Sequence, residues 1–218
     1  MMGRVNIYEY FVEKKFSSLK KFERELKYRN KFENFLIPRI LSVNQEDLVI
    51  RFEKINFPFL DKELYRFRMG DIENLFSNLP NIEGKTCEIE RLKFVNRFIE
   101  RLPIKMVESI IEEKGFLIHG DFRPQNIFFN GEIFGLIDFE NAGYSFKEKD
   151  LAYFYMELIY FNNDLSRKFL RKIRDYGSYP RFLFYCLFYT LSSIQNPYSN
   201  KKGLESVLKE ITFEMNKL

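Results

Sequence analysis

Apolar and polar positions alternate over residues 5–16, VNIYEYFVEKKF, and that period predicts a strand. The spacing then becomes helical. Ser17 or Ser18 can cap the charged segment SLKKFERELKYRNKFENF, and Pro38 ends it. RILSVNQEDLVIRFEKI returns to alternation as two strands joined by the polar turn Asn44–Asp47. Asn56 to Pro58 reads as a connector, so residues 1–57 form a small β-rich N-terminal lobe.

From Asp61 the pattern is helical, with a break around SNLPNIEGK. A helix is expected through CEIERLKFVNRFIERL and another from Pro103 to about Lys114. Pro103 suits a first helical position and Gly115 a C-terminal cap. The period then shortens. FLIHGD, NIFF and IFGLID are short apolar runs separated by turns, with Gly131 between the last two. After Asp150 four helices are expected, at 150–162, 164–175, 180–194 and 203–218. The class is α+β: a small sheet-bearing lobe ahead of a mostly helical lobe, residues 58–218. The most apolar segment, FLFYCLFYTLSSI from Phe182, is too short to span a bilayer and reads as a buried helix.

Composition changes this picture little. Aromatic residues make up 18% of the chain, while Ala142 and Ala152 are the only alanines. With Ile, Lys and Asn also abundant, the aromatic excess reflects compositional bias more than function. Tyr144, Phe146, Tyr153, Tyr155, Tyr185 and Tyr189 therefore read as core packing before an aromatic box for a quaternary ammonium. The net charge of +4 favours an anionic ligand such as a nucleotide, but the basic residues are too dispersed for a nucleic-acid footprint. Cys87 and Cys186 have neither metal-ligand nor disulfide spacing. With no apolar leader in MMGRVNIYEYFVEKK, a reducing cytoplasm is the expectation.

The polar residues that carry chemistry gather at strand ends in HGDFRPQN and IDFE. Asp121 and Asn126 flank a loop opened by Gly120 and stiffened by Pro124, and Asp138 leaves an apolar strand. If NIFF and IFGLI pair as a hairpin, Asn126 and Asp138 meet at one end. A carboxylate and an amide oxygen are hard ligands suited to Mg²⁺. Asp121 can orient a hydroxyl or accept its proton, and Arg123 can meet a phosphate. His119, the only histidine, reads as a buried brace of the loop.

HGDFRPQNIFF followed by GLIDFENAGYSFKEKDLA resembles the catalytic core of the aminoglycoside phosphotransferase and choline/ethanolamine kinase group. DFE followed by NAGYSF leans towards the choline-kinase-like members. The resemblance implies a protein-kinase-like fold and an ATP- and Mg²⁺-dependent transfer of the γ-phosphate to a hydroxyl of a small molecule. The acceptor would be an amino alcohol, an aminoglycoside or a sugar-like compound. It implies that Asp121 is the catalytic base or hydroxyl-orienting residue, that Arg123 contacts phosphate, that Asn126 and Asp138 hold magnesium, and that Asp150 braces the loop. Glu140 is left without an assignment.

The resemblance loosens between Lys14 and Ile55. Such a lobe pairs a strand lysine with a helix glutamate. Lys14 and Glu25 match best, with Lys15 and Glu23 close behind. Gly3 is the only glycine ahead of Lys14, so the first two strands and the glycine-rich lid are expected to be missing or reduced to a fragment. A shortened lobe shields phosphates less and leaves an edge strand open to a protein partner. That feature favours a rival reading, a weak or inactive kinase-like nucleotide-binding or partner-binding protein. The complete set Asp121, Asn126 and Asp138 favours an enzyme.

Overall fold

A computed structural model describes residues 3–85, 102–110, 114–194 and 201–218. The expected helix through residues 87–102 lies almost wholly outside the described residues, as does Cys87. The predicted first strand is a hairpin instead, β1 (Arg4–Ile7) and β2 (Phe11–Lys15). Its turn, Tyr8–Tyr10, contains no glycine or proline, which is why alternation runs through it unbroken. It closes through the Tyr8 N–H donating to the Phe11 carbonyl at 2.9 Å and the stacked rings of Tyr8 and Phe11. One short strand therefore precedes the lysine strand, so the strands expected to be missing or reduced to a fragment are reduced, not missing.

Helix α1 (Leu19–Tyr28) starts at Ser18, whose hydroxyl accepts the Lys21 N–H. It stops ten residues before Pro38, and the Arg29 guanidinium at its end bonds the Pro38 carbonyl. Strands β3 (Ile40–Asn44) and β4 (Val49–Glu53) flank the expected turn, where Asn44 Oδ1 accepts the Asp47 N–H. The four strands form one antiparallel sheet, ordered β1-β2-β4-β3. The row Val5, Lys14, Ile50, Val43 lies on one face, since directly opposed residues point the same way. Ile50 on that row is buried with Phe16 and with Phe22 of α1. This face therefore packs on α1 and carries Lys14 with it.

The larger part begins with α2 (Leu60–Glu63) and α3 (Met69–Ser77). α4 (Ile104–Ser109) is shorter than predicted, and Gly115 caps nothing, because it already lies in β6 (Lys114–Ile118). β6 is the middle strand of a three-stranded sheet with β5 (Glu83–Lys85) and β9 (Gly143–Ser145), neither of which the pattern announced. Three residues are too few to show a period. β7 (Ile127–Phe129) and β8 (Phe134–Leu136) form the expected hairpin around Gly131.

Four helices follow, α5 (Lys147–Phe161), α6 (Asn163–Lys172), α7 (Tyr179–Ile194) and α8 (Lys201–Met215). The most apolar segment is α7, and Phe182 to Cys186 are buried along it. Phe76, Phe122, Phe154 and Phe169 pack together between α3, α5 and α6. Each fully buried Phe contributes about 1.5–3 kcal/mol of apolar transfer. No helix among the described residues is long and apolar enough to cross a membrane.

Candidate active site

The loop from His119 to Asn126 leaves β6 with Gly120 at φ +79°. A Cβ there would stand 2.2 Å from the Asn141 carbonyl oxygen, so only glycine lets the two loops approach this closely. Beneath the loop lies Asp150, buried in the first turn of α5 rather than at its cap, which is Phe146. Its two oxygens accept the His119 N–H at 2.7 Å and the Gly120 N–H at 2.8 Å. Burial raises this carboxyl above its ordinary range, against the pull of His119 and the two N–H groups. The His119 ring is fully buried among Phe32, Phe122 and Phe139, with Nε2 placed 2.9 Å from the Ile137 carbonyl. It touches the loop's scaffold.

Asp121, Arg123 and Asn126 form one cluster. Asp121 Oδ2 accepts from Asn126 Nδ2 at 2.9 Å and from Arg123 Nη2 at 3.1 Å. Asn126 Nδ2 also donates to the Asp121 carbonyl, so its amide hydrogens are committed and its oxygen remains as an acceptor. Tyr153 stands beside this cluster. Its ring is 5.9 Å from the Arg123 guanidinium and packs edge-on against Tyr189. Burial and the charge of Asp121 push its phenol up to about 12. Further along α5, Glu157 accepts from Gln125 at 3.3 Å.

A second cluster joins the N-terminal sheet to the turn after β8. The Lys14 ammonium lies 2.5 Å from Asp138 Oδ1, 2.9 Å from Glu140 Oε2 and 3.8 Å from Glu25 Oε2. Burial alone would lower the Lys14 pKa, but the charges of Asp138 and Glu25 carry it above its usual value. Glu25 Oε2 accepts the Phe139 N–H at 2.8 Å, and burial pushes this carboxyl up to about 7 against the pull of Lys14. Of the two pairs left open by the sequence, the structure selects Lys14 and Glu25. Lys15 and Glu23 are exposed on the opposite faces of their elements. Asp138 itself has left-handed backbone, φ +71°, and the most open carboxylate of the three, at 31% side-chain exposure. The two clusters are tied through the backbone, because the Ile137 N–H donates to the Asn126 carbonyl at 3.0 Å.

Sequence reasoning left Glu140 without an assignment, read Tyr153 as core packing and passed over Lys21. Glu140 bridges Lys14 and Lys21, Lys21 reaches it at 2.6 Å, and Tyr153 sits against the Asp121 cluster. Lys21 carried a usable signal, since it lies four residues before Glu25 and so on the same face of α1. Among the described residues no three His, Cys, Asp or Glu side chains form a metal-holding group. The Asn126 oxygen and the Asp138 carboxylate belong to these two adjoining clusters.

A small sheet-bearing part ahead of a mostly helical one, with a strand lysine and a helix glutamate meeting an aspartate beyond a hairpin, is a kinase-like arrangement. The sequence matches the phosphotransferase enzyme family over residues 18–184, and the chain belongs to that family. The fold is similar to aminoglycoside phosphotransferase APH(4)-Ia, with a TM-score of 0.66 at 15% identity over 99% of this chain and 90% of that one. It is also similar to a choline/ethanolamine kinase family protein from Mesorhizobium loti, with a TM-score of 0.63 at 14% identity over 97% and 84% of the two chains. Aminoglycoside 2'-phosphotransferase-IIIa, solved with GDP, aligns with a TM-score of 0.61 at 14% identity over 98% and 90%. No curated protein sequence matches this chain.

Proposed function

We propose that this phosphotransferase moves the γ-phosphoryl group of ATP to a hydroxyl of a small molecule in the cytoplasm, with Mg²⁺ held by Asn126 and Asp138. The acceptor is an amino alcohol, an aminoglycoside or a sugar-like compound. One observation carries the reading: Lys14, Glu25 and Asp138 converge from three separate elements, while the connected loop holds Asp121 by two side-chain hydrogen bonds. Solved relatives support it, one in complex with GDP and another with ADP and hygromycin B. The nucleotide would lie between lobes taken as residues 1–57 and 58–218.

The donor set fits magnesium. The Asn126 oxygen is free of the amide's own hydrogen bonds, Asp138 is partly open, and both are hard oxygen ligands. When bound, the ion would neutralise charge on the β- and γ-phosphates. Lys14 shares the phosphate charge, and Glu25 keeps Lys14 and the Phe139 backbone in place. Asp121 orients the acceptor hydroxyl and takes its proton as the new phosphate ester forms. Arg123 and Asn126 hold the Asp121 carboxylate still, so positioning and charge neutralisation supply most of the catalysis.

The test is ATP consumption against a panel of amino alcohols, aminoglycosides and sugars, with Asp121→Ala and Asp138→Asn alongside. Asp121→Ala should lower turnover about 10²–10⁴-fold with ADP affinity retained. Asp138→Asn should lose Mg²⁺-dependent turnover with little loss of fold. Normal turnover in either variant overturns the corresponding role.

A further inference from the structure

The roles just assigned leave Lys21 and Glu140 without a task. α1 runs past the turn that carries Asp138, and it grips two consecutive residues of that turn. Glu25 Oε2 accepts the Phe139 N–H at 2.8 Å. One helical turn earlier, Lys21 Nζ meets Glu140 Oε1 at 2.6 Å. The other oxygen of Glu140 lies 2.9 Å from Lys14, whose ammonium also holds Asp138 at 2.5 Å. Glu140 thus bridges two lysines through its two oxygens.

The charges make this arrangement consequential. Three carboxylates, Glu25, Asp138 and Glu140, face Lys14 and Lys21 in a partly desolvated site. The Glu140 side chain is 14% exposed and that of Lys14 is 12% exposed. A carboxylate in such surroundings needs compensation. Without Lys21, Glu140 has Lys14 as its remaining cation here and holds the ammonium that a phosphate must share. With Lys21 present, one oxygen is already neutralised and the side chain is pinned towards α1. A surface ion pair alone would carry little weight. This one joins residues 119 positions apart and ends on a mostly buried acid, so it ties α1 to the turn.

We propose that Lys21 is a positioning residue for the nucleotide: it takes up part of the Glu140 charge that would otherwise fall on Lys14, and it fixes the Asp138 turn against α1. The inference rests on the phosphotransferase reading. It is tested on the full chain by calorimetric ADP binding without and with Mg²⁺, and by nucleotide KM and kcat in the presence of an acceptor. The variants are Lys21→Met, which keeps the stem and the helix propensity, Lys21→Arg, and each change combined with Glu140→Gln.

Lys21→Met should weaken ADP binding and raise nucleotide KM by about five- to tenfold, with kcat within about twofold of wild type. Lys21→Arg should stay within about twofold of wild type, and the ligand-free melting temperature of Lys21→Met within about 2 °C. In the Glu140→Gln background, Lys21→Met should have no effect on metal-free ADP binding, since no carboxylate is left to restrain. Wild-type affinity in Lys21→Met, an undiminished loss in the Glu140→Gln background, or an arginine variant as weak as the methionine one would each overturn the inference. Wild-type protein that fails to bind ADP would instead overturn the phosphotransferase reading, and the inference with it.

Discussion

Replacing Asp150 by asparagine takes one oxygen from a carboxylate that accepts the backbone N–H groups of His119 and Gly120 at 2.7 and 2.8 Å. Asp150 is 1% exposed, so water cannot substitute freely. The asparagine oxygen keeps one bond, while its amide nitrogen faces the other N–H as a second donor. Losing a hydrogen bond to a charged group removes about 1.5–3 kcal/mol, and stranding a buried N–H adds about 1–3 kcal/mol. In the opposite direction, burial disfavours the ionised carboxyl, so a neutral amide recovers part of that loss. The net expectation is a destabilisation of about 2–4 kcal/mol, or about 5–15 °C in melting temperature for a chain of this size. The loop displaced is the one that presents Asp121, so turnover should fall more than ADP affinity. Urea unfolding followed by far-ultraviolet circular dichroism, with calorimetric ADP binding and turnover on the same samples, measures all three. Stability within about 0.5 kcal/mol of wild type together with normal turnover would refute the bracing role.

Two further outcomes follow from the same geometry. Gly120→Ala places a Cβ 2.2 Å from the Asn141 carbonyl at a left-handed backbone position, and should destabilise by about 2–4 kcal/mol in urea unfolding, whereas an unchanged midpoint would contradict the close approach. Burial pushes Glu25 up to about 7, so the native chain keeps this proton at a pH where the unfolded chain has released it. Its contribution to stability is therefore complete below the ordinary glutamate range and declines as the pH rises through about 7. The melting temperature of wild type minus that of Glu25→Gln should fall between about pH 5 and 8, and a flat difference would show that Glu25 titrates normally.

Much of the loop from His119 to Asn126 was legible because its determinants are local. Gly120, Pro124 and Gly131 act through backbone conformation within a few residues, and the β7–β8 hairpin needs only a short turn to bring Asn126 opposite Ile137. The N-terminal hairpin was not legible, because the turn Tyr8-Glu9-Tyr10 uses ring stacking where a glycine would have marked it. β5 and β9 escaped for a different reason: each is a three-residue strand defined by its pairing to β6 rather than by its own pattern.

By itself the sequence determined the α+β order of elements, the buried helix α7 and the intervals from His119 through Asp121, Asn126 and Asp138 to Asp150, all of which depend on short-range periodicity and turn chemistry. Only the tertiary structure decided between Lys14 and Lys15 and between Glu25 and Glu23. Neighbouring residues on a strand point to opposite faces, and each of these candidates is a plausible surface charge until a partner more than a hundred residues away selects one. That long-range pairing also brought in Lys21 and Glu140, whose meeting no local period encodes.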